Sequence, residues 1–368
     1  MRYIHYILSL MMVALMSCNA GKKQGASKHG SDVVSTIVFE EAKVISVIAD
    51  DDKVTKLQIH NPWKEDVLLD SYTIGGENGL RVPLKRVVVY SSVHANVIKE
   101  LGHLEAIKGV CDVQYFTIEE VKEGVKNGTI ENAGTSAAPI TEKIISIAPD
   151  AIIVSPYQNS KFDNLEKLGI PVIQCADYME TSPLGRAEWI KLFGFLFNEQ
   201  AKADSIYNAV REQYNDMKQL VAGVEKKPKI LSENIVNGTW YVPGGNSYMA
   251  HLFSDAGGDF PWSDTPTSGS IPLDMPQVLD KAHDADIWLI KSFDANMNYN
   301  KLKAQNELNA EFEAFKKQKV WHCDTERTML FQDFPFHPEL LLKEYIAIFH
   351  PQLMPDYETI YFKPLDNE

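Results

Sequence analysis

Residues 186–222 most constrain the fold, because they carry no strand pattern and lie between two stretches in which strand and helix patterns alternate. Residues 189–197 predict one helix, and residues 199–221 predict a second with apolar side chains at helical spacing. Asn198, between them, is typical of a left-handed helix end. The second helix would be about 35 Å long at 1.5 Å per residue. We therefore expect a stiff helix that joins two lobes.

Short apolar runs predict buried strands on both sides of this connection. They lie at residues 86–90, 107–110, 151–154 and 171–174, and again at residues 229–235, 287–291 and 320–323. Helical patterns separate them at residues 95–104, 140–148, 248–256, 276–283, 307–316 and 338–349. Such alternation favours parallel sheets flanked by helices. The similar phrases EKIISIAPDAIIV and PQVLDKAHDADIWLI, one on each side, indicate that the two halves are related.

The predicted fold class is α/β, with two lobes that each contain a mainly parallel sheet flanked by helices, one long helix between them and a small N-terminal β appendage. The predicted boundaries are residues 33–85 for the appendage, 86–185 for the N-terminal lobe, 186–222 for the connecting helices and 223–368 for the C-terminal lobe. In the appendage, alternating runs are broken at residues 50–52 and at Asn61-Pro62.

The first residues have the pattern of an export signal. Arg2 is followed by the apolar run YILSLMMVALM, which is too short to span a bilayer, and then by Ser17-Cys18. This pattern resembles the lipobox of bacterial lipoproteins, which implies lipidation of Cys18 and a lipid-anchored, periplasm-facing protein in the cell envelope. An ordinary secretory signal is the alternative. Residues 1–18 are then the signal and lipobox, and the polar residues 19–32 are a flexible tether.

Composition and motifs exclude several kinds of protein. The net charge of -14 argues against a nucleic-acid partner and against adhesion to an anionic membrane surface. The wide spacing of Cys111, Cys175 and Cys323 allows at most one disulfide and matches no zinc motif. No G-x-S-x-G, H-E-x-x-H or P-loop phrase occurs in the sequence, so we predict that the protein is not an enzyme; a surface-anchored hydrolase is a distant alternative.

Three phrases resemble the substrate-binding proteins of ABC importers for iron-siderophore, haem and cobalamin, a class with two lobes and a single backbone helix. These phrases are RVVVYSSVHANVIKELGHLEAIKGV, AGTSAAPITEKIISIAPDAIIV and HPELLLKEYIAIFHPQLMP. The resemblance covers roughly residues 86–355. The appendage with its HNPW turn is similar to the leading extension of Bacteroidetes members of this family.

The resemblance implies that a ligand lies between the lobes and that exposed carboxylates meet arginines of the permease. Glu142 matches the docking carboxylate of the N-terminal lobe. The equivalent position in the other lobe is Pro276, where the family usually has Glu, so Asp274 is the substitute candidate. A solvated charge on a helix face is the alternative for Glu142. The implied partners are an ABC permease with its ATPase and an iron chelate or corrinoid ligand, and we expect a monomer.

Side chains that follow the predicted strands should form the walls of the cleft. The candidates are Tyr90, Ser91, Ser92, His94, Thr135, Ser136, Tyr157, Gln158 and Tyr178 from the first lobe, and Trp240, Tyr241, Trp262, Lys291, Phe293 and Arg327 from the second. These aromatic and polar groups suit a large, partly apolar ligand. The alternative for Trp240 and Tyr241 is that they pack a loop against the core. Lys291 and Arg327 either meet ligand carboxylates, phosphate or ferric catecholate, or pair with local acids.

His94 allows two interpretations. It could bind haem iron, cobalt, zinc or manganese, but a histidine at a helix start more often caps or packs, so we assign no metal-ligating residue and no cofactor. Most later histidines lie in or beside predicted helices, whereas a dedicated zinc importer would gather several in its cleft. We therefore predict a binding protein for an iron siderophore or haem. Cobalamin and a bare zinc or manganese ion are the alternatives.

Overall fold

The computed structural model describes residues 37–51, 53–77 and 79–367. The predictions for the signal segment, the lipidated Cys18 and the tether lie outside the described residues.

The appendage is a three-stranded antiparallel sheet. Its strands are β1 (Ile45–Asp50), β2 (Lys53–His60) and β3 (Leu68–Thr73), in the order β1-β2-β3. Tyr72 of β3 donates its hydroxyl proton to the Val172 carbonyl at 2.8 Å and accepts from the Gln174 amide at 2.9 Å. Val172 and Gln174 belong to an edge strand of the next sheet, so the appendage covers an edge that would otherwise expose unpaired backbone groups.

The N-terminal lobe contains a five-stranded parallel sheet. Its elements are β4 (Val87–Val89), α1 (Ser92–Glu100), β5 (Ile107–Val110), α2 (Glu119–Asn127), β6 (Glu131–Asn132), α3 (Thr141–Ile147), β7 (Ala151–Val154), α4 (Asp163–Glu166) and β8 (Val172–Gln174). The strand order is β6-β5-β4-β7-β8, and every pair is parallel. All residues of β4, β7 and β8 are buried, which explains the continuous apolar sequences of β4 and β7. The parallel sheet confirms the prediction, and it places the carboxyl ends of all five strands along one edge.

Three helices connect the lobes: α5 (Pro183–Ala187), α6 (Ile190–Phe197) and α7 (Gln200–Val221). Asn198 ends α6 at a φ of 61°, the left-handed conformation that its sequence position predicted. The 22 residues of α7 bury Ala203, Tyr207, Val210 and Tyr214 along one face. The predicted long helix is therefore confirmed, and its buried face fixes it against the rest of the fold.

The C-terminal lobe contains two sheets. Its elements are β9 (Ile230–Ser232), β10 (Ile235–Val236), β11 (Thr239–Pro243), α8 (Tyr248–Asp255), β12 (Ser270–Leu273), α9 (Met275–Ala282), β13 (Ile287–Ser292), α10 (Tyr299–Gln305), α11 (Glu313–Lys316), β14 (Val320–Asp324), α12 (Leu330–Asp333), α13 (Pro338–Phe349) and β15 (Phe362–Pro364). Parallel strands β9, β13 and β14 form the main sheet, with β15 antiparallel at its edge. Strands β10, β11 and β12 form a separate antiparallel sheet that the sequence did not predict.

The single helix predicted at residues 307–316 is wrong. Residues Glu307–Glu311 form a 3-10 turn, and α11 begins only after Phe312. Phe312 has an extended backbone, with φ of -67° and ψ of 135°, and its fully buried ring lies 5.2 Å from that of Trp288. The burial of this aromatic ring interrupts the helix that the local pattern favours.

Candidate ligand-binding cleft

A cavity of about 410 Å³ lies at the carboxyl edge of the N-terminal sheet; we call it the N-lobe cavity. Five predicted cleft residues line it, namely Tyr90, Ser91, Ser92, Ser136 and Tyr157. They come from the loops after β4, β6 and β7, which end at the same edge because the strands are parallel. The structure therefore brings together side chains that lie up to about 67 positions apart in the sequence.

Local hydrogen bonds position the walls of the N-lobe cavity. The Ser91 hydroxyl caps α1 by accepting from the Val93 amide at 3.2 Å. Asp112, after β5, accepts from the Ser136 amide at 2.9 Å and so joins two neighbouring loops. Gly134 turns the second of these loops with a φ of 97°, where a Cβ would lie 2.7 Å from the Ala138 carbonyl oxygen. Glycine is therefore required for this turn.

A second cavity, of about 400 Å³, is lined by both lobes; we call it the interlobe cavity. Three predicted residues line it: Tyr178 from the first lobe, and Tyr241 and Lys291 from the second. The Tyr178 hydroxyl donates to the Pro156 carbonyl at 2.6 Å, beside Tyr157 of the N-lobe cavity. Burial raises the pKa of Tyr178 to about 12, so its phenol stays neutral at physiological pH. Tyr178 thus links the two cavities.

Lys291 lines the interlobe cavity together with Glu233. Its ammonium group donates to the Glu233 carboxylate, and the two side chains are only 14% and 22% exposed. Burial disfavours the lysine charge, but the adjacent carboxylate outweighs burial and raises the pKa of Lys291. The cavity therefore contains a protonated lysine whose charge a carboxylate already neutralises.

The two lobes contact each other beside these cavities, where residues 329–337 pack on α1. Gln332 donates its side-chain amide to the Ser92 hydroxyl at 3.1 Å, and Asn96 donates to the Gln332 carbonyl at 3.2 Å. His337 contacts the Glu100 carboxylate of α1 through Nε2 at 2.9 Å. Polar contacts thus hold the lobes together along one side of the cleft.

Three of the predicted cleft residues are core residues instead. His94 is 1% exposed and its Nε2 lies 2.9 Å from the Asp177 carboxylate. Trp240 is fully buried, and its indole N–H donates to the Ser232 carbonyl at 3.0 Å. Trp262 is 4% exposed. These side chains line neither cavity.

Four other predicted residues are exposed on loops but line neither cavity: Thr135, Gln158, Phe293 and Arg327. The Phe293 ring is 66% exposed directly after β13. Arg327 lies 3.6 Å from Asp324, at the end of β14. Their positions after strand ends place Phe293 and Arg327 at the carboxyl edge of the C-terminal sheet.

The structure adds residues that sequence reasoning missed. Asp112, Tyr115 and Lys161 line the N-lobe cavity, and Phe331 lines the interlobe cavity. Asp112 lies two residues after the end of β5, so the rule that ligands bind at strand ends predicts its position. Phe331 lies in the four-residue helix α12, whose length gives no periodic signal.

The two proposed docking carboxylates are exposed. Glu142 lies in the first turn of α3, beside the exposed apolar side chains of Ile140 and Ile145. Asp274 caps α9 by accepting from the Gln277 amide at 2.9 Å in a reciprocal capping box. Both carboxylates are thus accessible to a partner, although that of Asp274 also stabilises its helix.

Another cavity, of about 1030 Å³, lies elsewhere; we call it the base cavity. Residues Asp286, Ile287 and Lys319 line it, and they lie at the amino ends of β13 and β14. Ligands of parallel α/β sheets bind at the opposite, carboxyl ends. Among the described residues, no cluster of three His, Cys, Asp or Glu side chains has the geometry of a metal site. No described helix is both long and apolar enough to cross a bilayer.

Sequence and structure comparisons agree with this architecture. A sequence profile of the periplasmic binding protein family matches residues 87–326. An uncharacterized lipoprotein of Methanocaldococcus jannaschii is 27% identical over 311 residues, which is 82% of this chain and 72% of the relative.

Two crystal structures share the fold. One is an ABC-type Fe³⁺-hydroxamate transport system from Saccharomonospora viridis, with a TM-score of 0.58 and 19% identity over 80% of this chain and 98% of the other. The second is a periplasmic haem-binding protein of Vibrio cholerae, with a TM-score of 0.58 and 16% identity over 72% of this chain and 99% of the other. These similarities show the two-lobed fold.

Proposed function

The chain belongs to the periplasmic binding protein family, and on that premise we propose that it captures an iron complex, a siderophore or haem, between its lobes and delivers it to an ABC permease. Members of this family are solute-binding proteins rather than enzymes. The observation that carries the proposal is the pair of cavities at the carboxyl ends of the parallel strands, one of them lined by both lobes.

Exposed aromatic rings support a large, partly apolar ligand. Tyr115 and Tyr157 of the N-lobe cavity are 63% and 68% exposed, and Tyr241 of the interlobe cavity is 49% exposed. A ligand that covered these rings would remove their apolar surface from water, which favours binding. Flat rings combined with serine hydroxyls match a chelate or macrocycle with an apolar surface and a few polar groups.

The absence of a converging set of His, Cys, Asp or Glu side chains among the described residues favours a chelated metal over a bare ion. A bare zinc or manganese ion needs its coordination shell from the protein, whereas a chelate carries its own. The fold-level neighbours support the same class, since one is an Fe³⁺-hydroxamate transport protein and another binds haem.

The site of action that we propose is the cell envelope. The lipobox-like Cys18 would receive the lipid, and the tether would let the binding lobes reach a permease in the same membrane system. The relative of Methanocaldococcus jannaschii is also a lipoprotein by name, which supports the anchor. Glu142 and Asp274 would then contact basic residues of the permease.

Titration of the soluble chain that begins after Cys18 tests this function. Ferric siderophores, haem, cobalamin, Zn²⁺ and Mn²⁺ are added in turn, with absorbance, intrinsic fluorescence and thermal shift as the readouts. We expect saturable one-to-one binding of an iron chelate or haem. Stabilisation by Zn²⁺ or Mn²⁺ alone, with no chelate bound, would refute the proposal.

A further inference from the structure

The charges that line the two cavities cancel. The charged lining residues of the N-lobe cavity are Asp112 and Lys161, and those of the interlobe cavity are Glu233 and Lys291. Each cavity thus has one cation and one carboxylate. The ammonium group of Lys291 contacts Glu233 directly, so its positive charge is already used within the protein.

The arginines near the cleft are also paired. Arg186 donates from Nε to the Asp177 carboxylate at 3.1 Å, with both side chains buried. Its guanidinium is covered by the rings of Tyr248 and Phe334, at 4.7 and 5.3 Å from the ring centroids, and these two rings line the interlobe cavity. The rings therefore separate the Arg186 charge from any ligand.

Arg327, unlike Arg186, is exposed, but it also has a carboxylate neighbour. It lies 3.6 Å from Asp324, and the neighbouring Glu326 is also exposed. The net charge of this loop is therefore negative or neutral. The net charge of -14 for the whole chain adds a long-range repulsion toward anions.

We propose that the cleft selects a metal chelate or macrocycle without net negative charge. This inference rests on the proposed function and restricts the charge of the ligands that it includes. An anionic ligand would lose its hydration in the cleft, where Glu233 already neutralises Lys291 and where Lys161, which is exposed, is offset by Asp112 in the same lining. A ferric trihydroxamate is neutral and a corrinoid has no excess negative charge, whereas a ferric tricatecholate is strongly anionic and haem has two carboxylates. The first two classes fit a cleft that would hold its ligand through contacts with aromatic rings and hydroxyl groups.

The test compares a neutral ferric trihydroxamate with an anionic ferric tricatecholate, both titrated calorimetrically at low and high salt. We expect the neutral chelate to bind at least about tenfold more tightly at low salt. Its affinity should change little with salt, because there is little net charge to screen. Tighter binding of the tricatecholate would overturn the charge inference and leave the proposed function standing. Binding of neither chelate, and of neither haem nor cobalamin, would overturn both.

A matched pair of variants tests whether the neutralised lysine causes this selectivity. Glu233→Gln keeps the side-chain size and leaves Lys291 without its carboxylate, so the affinity for the anionic chelate, relative to that for the neutral one, should rise about tenfold. The control is Glu313→Gln, which removes the carboxylate 3.1 Å from Lys317, a lining residue of the base cavity. Equal effects of both substitutions, or no gain for the anionic chelate in Glu233→Gln, would contradict selection by neutralised charge.

Discussion

The guanidinium group of Arg186 in α5 lies 4.7 Å from the centre of the Tyr248 ring in α8. A side chain from the connecting helices therefore packs on the C-terminal lobe. The same arginine donates to Asp177, directly before Tyr178 of the interlobe cavity. Asp177 also contacts His94 of α1. One buried network therefore joins the N-terminal sheet, the connecting helices and the C-terminal lobe next to the cavity that both lobes line.

Arg186→Leu should destabilise the protein by about 3–5 kcal/mol, because it leaves the Asp177 carboxylate buried with one partner fewer. Urea unfolding of the wild type and the variant measures this difference. The control is a double-mutant cycle with Asp177→Asn, in which the effects of the two substitutions should not add. Fully additive losses would show that the pair does not act as a unit.

His337 gives stability a dependence on pH. Its Nε2 contacts Glu100 at 2.9 Å and its Nδ1 contacts Glu339 at 3.0 Å. Burial disfavours the charge, but the hydrogen bonds to these carboxylates outweigh burial and raise the pKa of His337 from 6.5 to about 10. Because the folded-state pKa is raised, the stabilisation is fully present below pH 6.5 and is lost as the pH rises toward 10.

His337→Gln should therefore lower the free energy of unfolding by about 2 kcal/mol at the acid end of this range and by much less at the alkaline end. Urea unfolding at several pH values measures the difference. His283→Gln is the control, because His283 is exposed and its Nδ1 contacts only the Leu279 carbonyl of its own helix. A loss in His337→Gln that stays constant with pH would contradict the ion pair.

Glu142→Arg should reduce uptake in cells more than about tenfold without changing ligand affinity, because it reverses an exposed charge away from both cavities. For the second lobe, Asp274→Asn removes the charge and keeps a side chain that can cap α9. Glu123→Arg, at an exposed position of α2, is the control for charge reversal elsewhere. Weaker ligand binding by Glu142→Arg would place Glu142 in the binding site instead.

Tyr157→Ala should weaken ligand binding about tenfold, because it removes an exposed ring from the N-lobe cavity. Stability should change little, since 68% of the side chain is exposed. Tyr157→Phe keeps the ring and serves as the matched variant, with affinity near wild type. Equal losses in both variants would assign the effect to the hydroxyl group rather than to ring stacking.

The main sheets could be predicted from the sequence because their strands are continuous apolar runs. The predictions for residues 107–110 and 151–154 match β5 and β7 to the residue. Among the strands that were not predicted, β6, β10 and β15 contain only two or three residues, too few for a periodic pattern. Tertiary contacts also override local preference, as in the helix that buried Phe312 interrupts.

The site is harder to predict because burial depends on the other lobe and on neighbouring elements. Tyr157 follows a strand that ends at Ser155-Pro156, so its position at the cavity follows from local sequence. Trp240 has an equally suggestive position, but its ring faces the core against Trp288. A tryptophan in a core and a tryptophan in a cleft look the same in a sequence, and only packing distinguishes them.

The central claim, that the ligand lies between the lobes, is tested most directly by backbone amide hydrogen exchange with and without the chelate that binds in titration. We expect slower exchange in the loops after β4, β7 and β9, whose residues line the N-lobe and interlobe cavities. We expect little change at residues 347–364, which line the base cavity. Slower exchange confined to residues 347–364 would contradict the account and move the ligand to the base cavity.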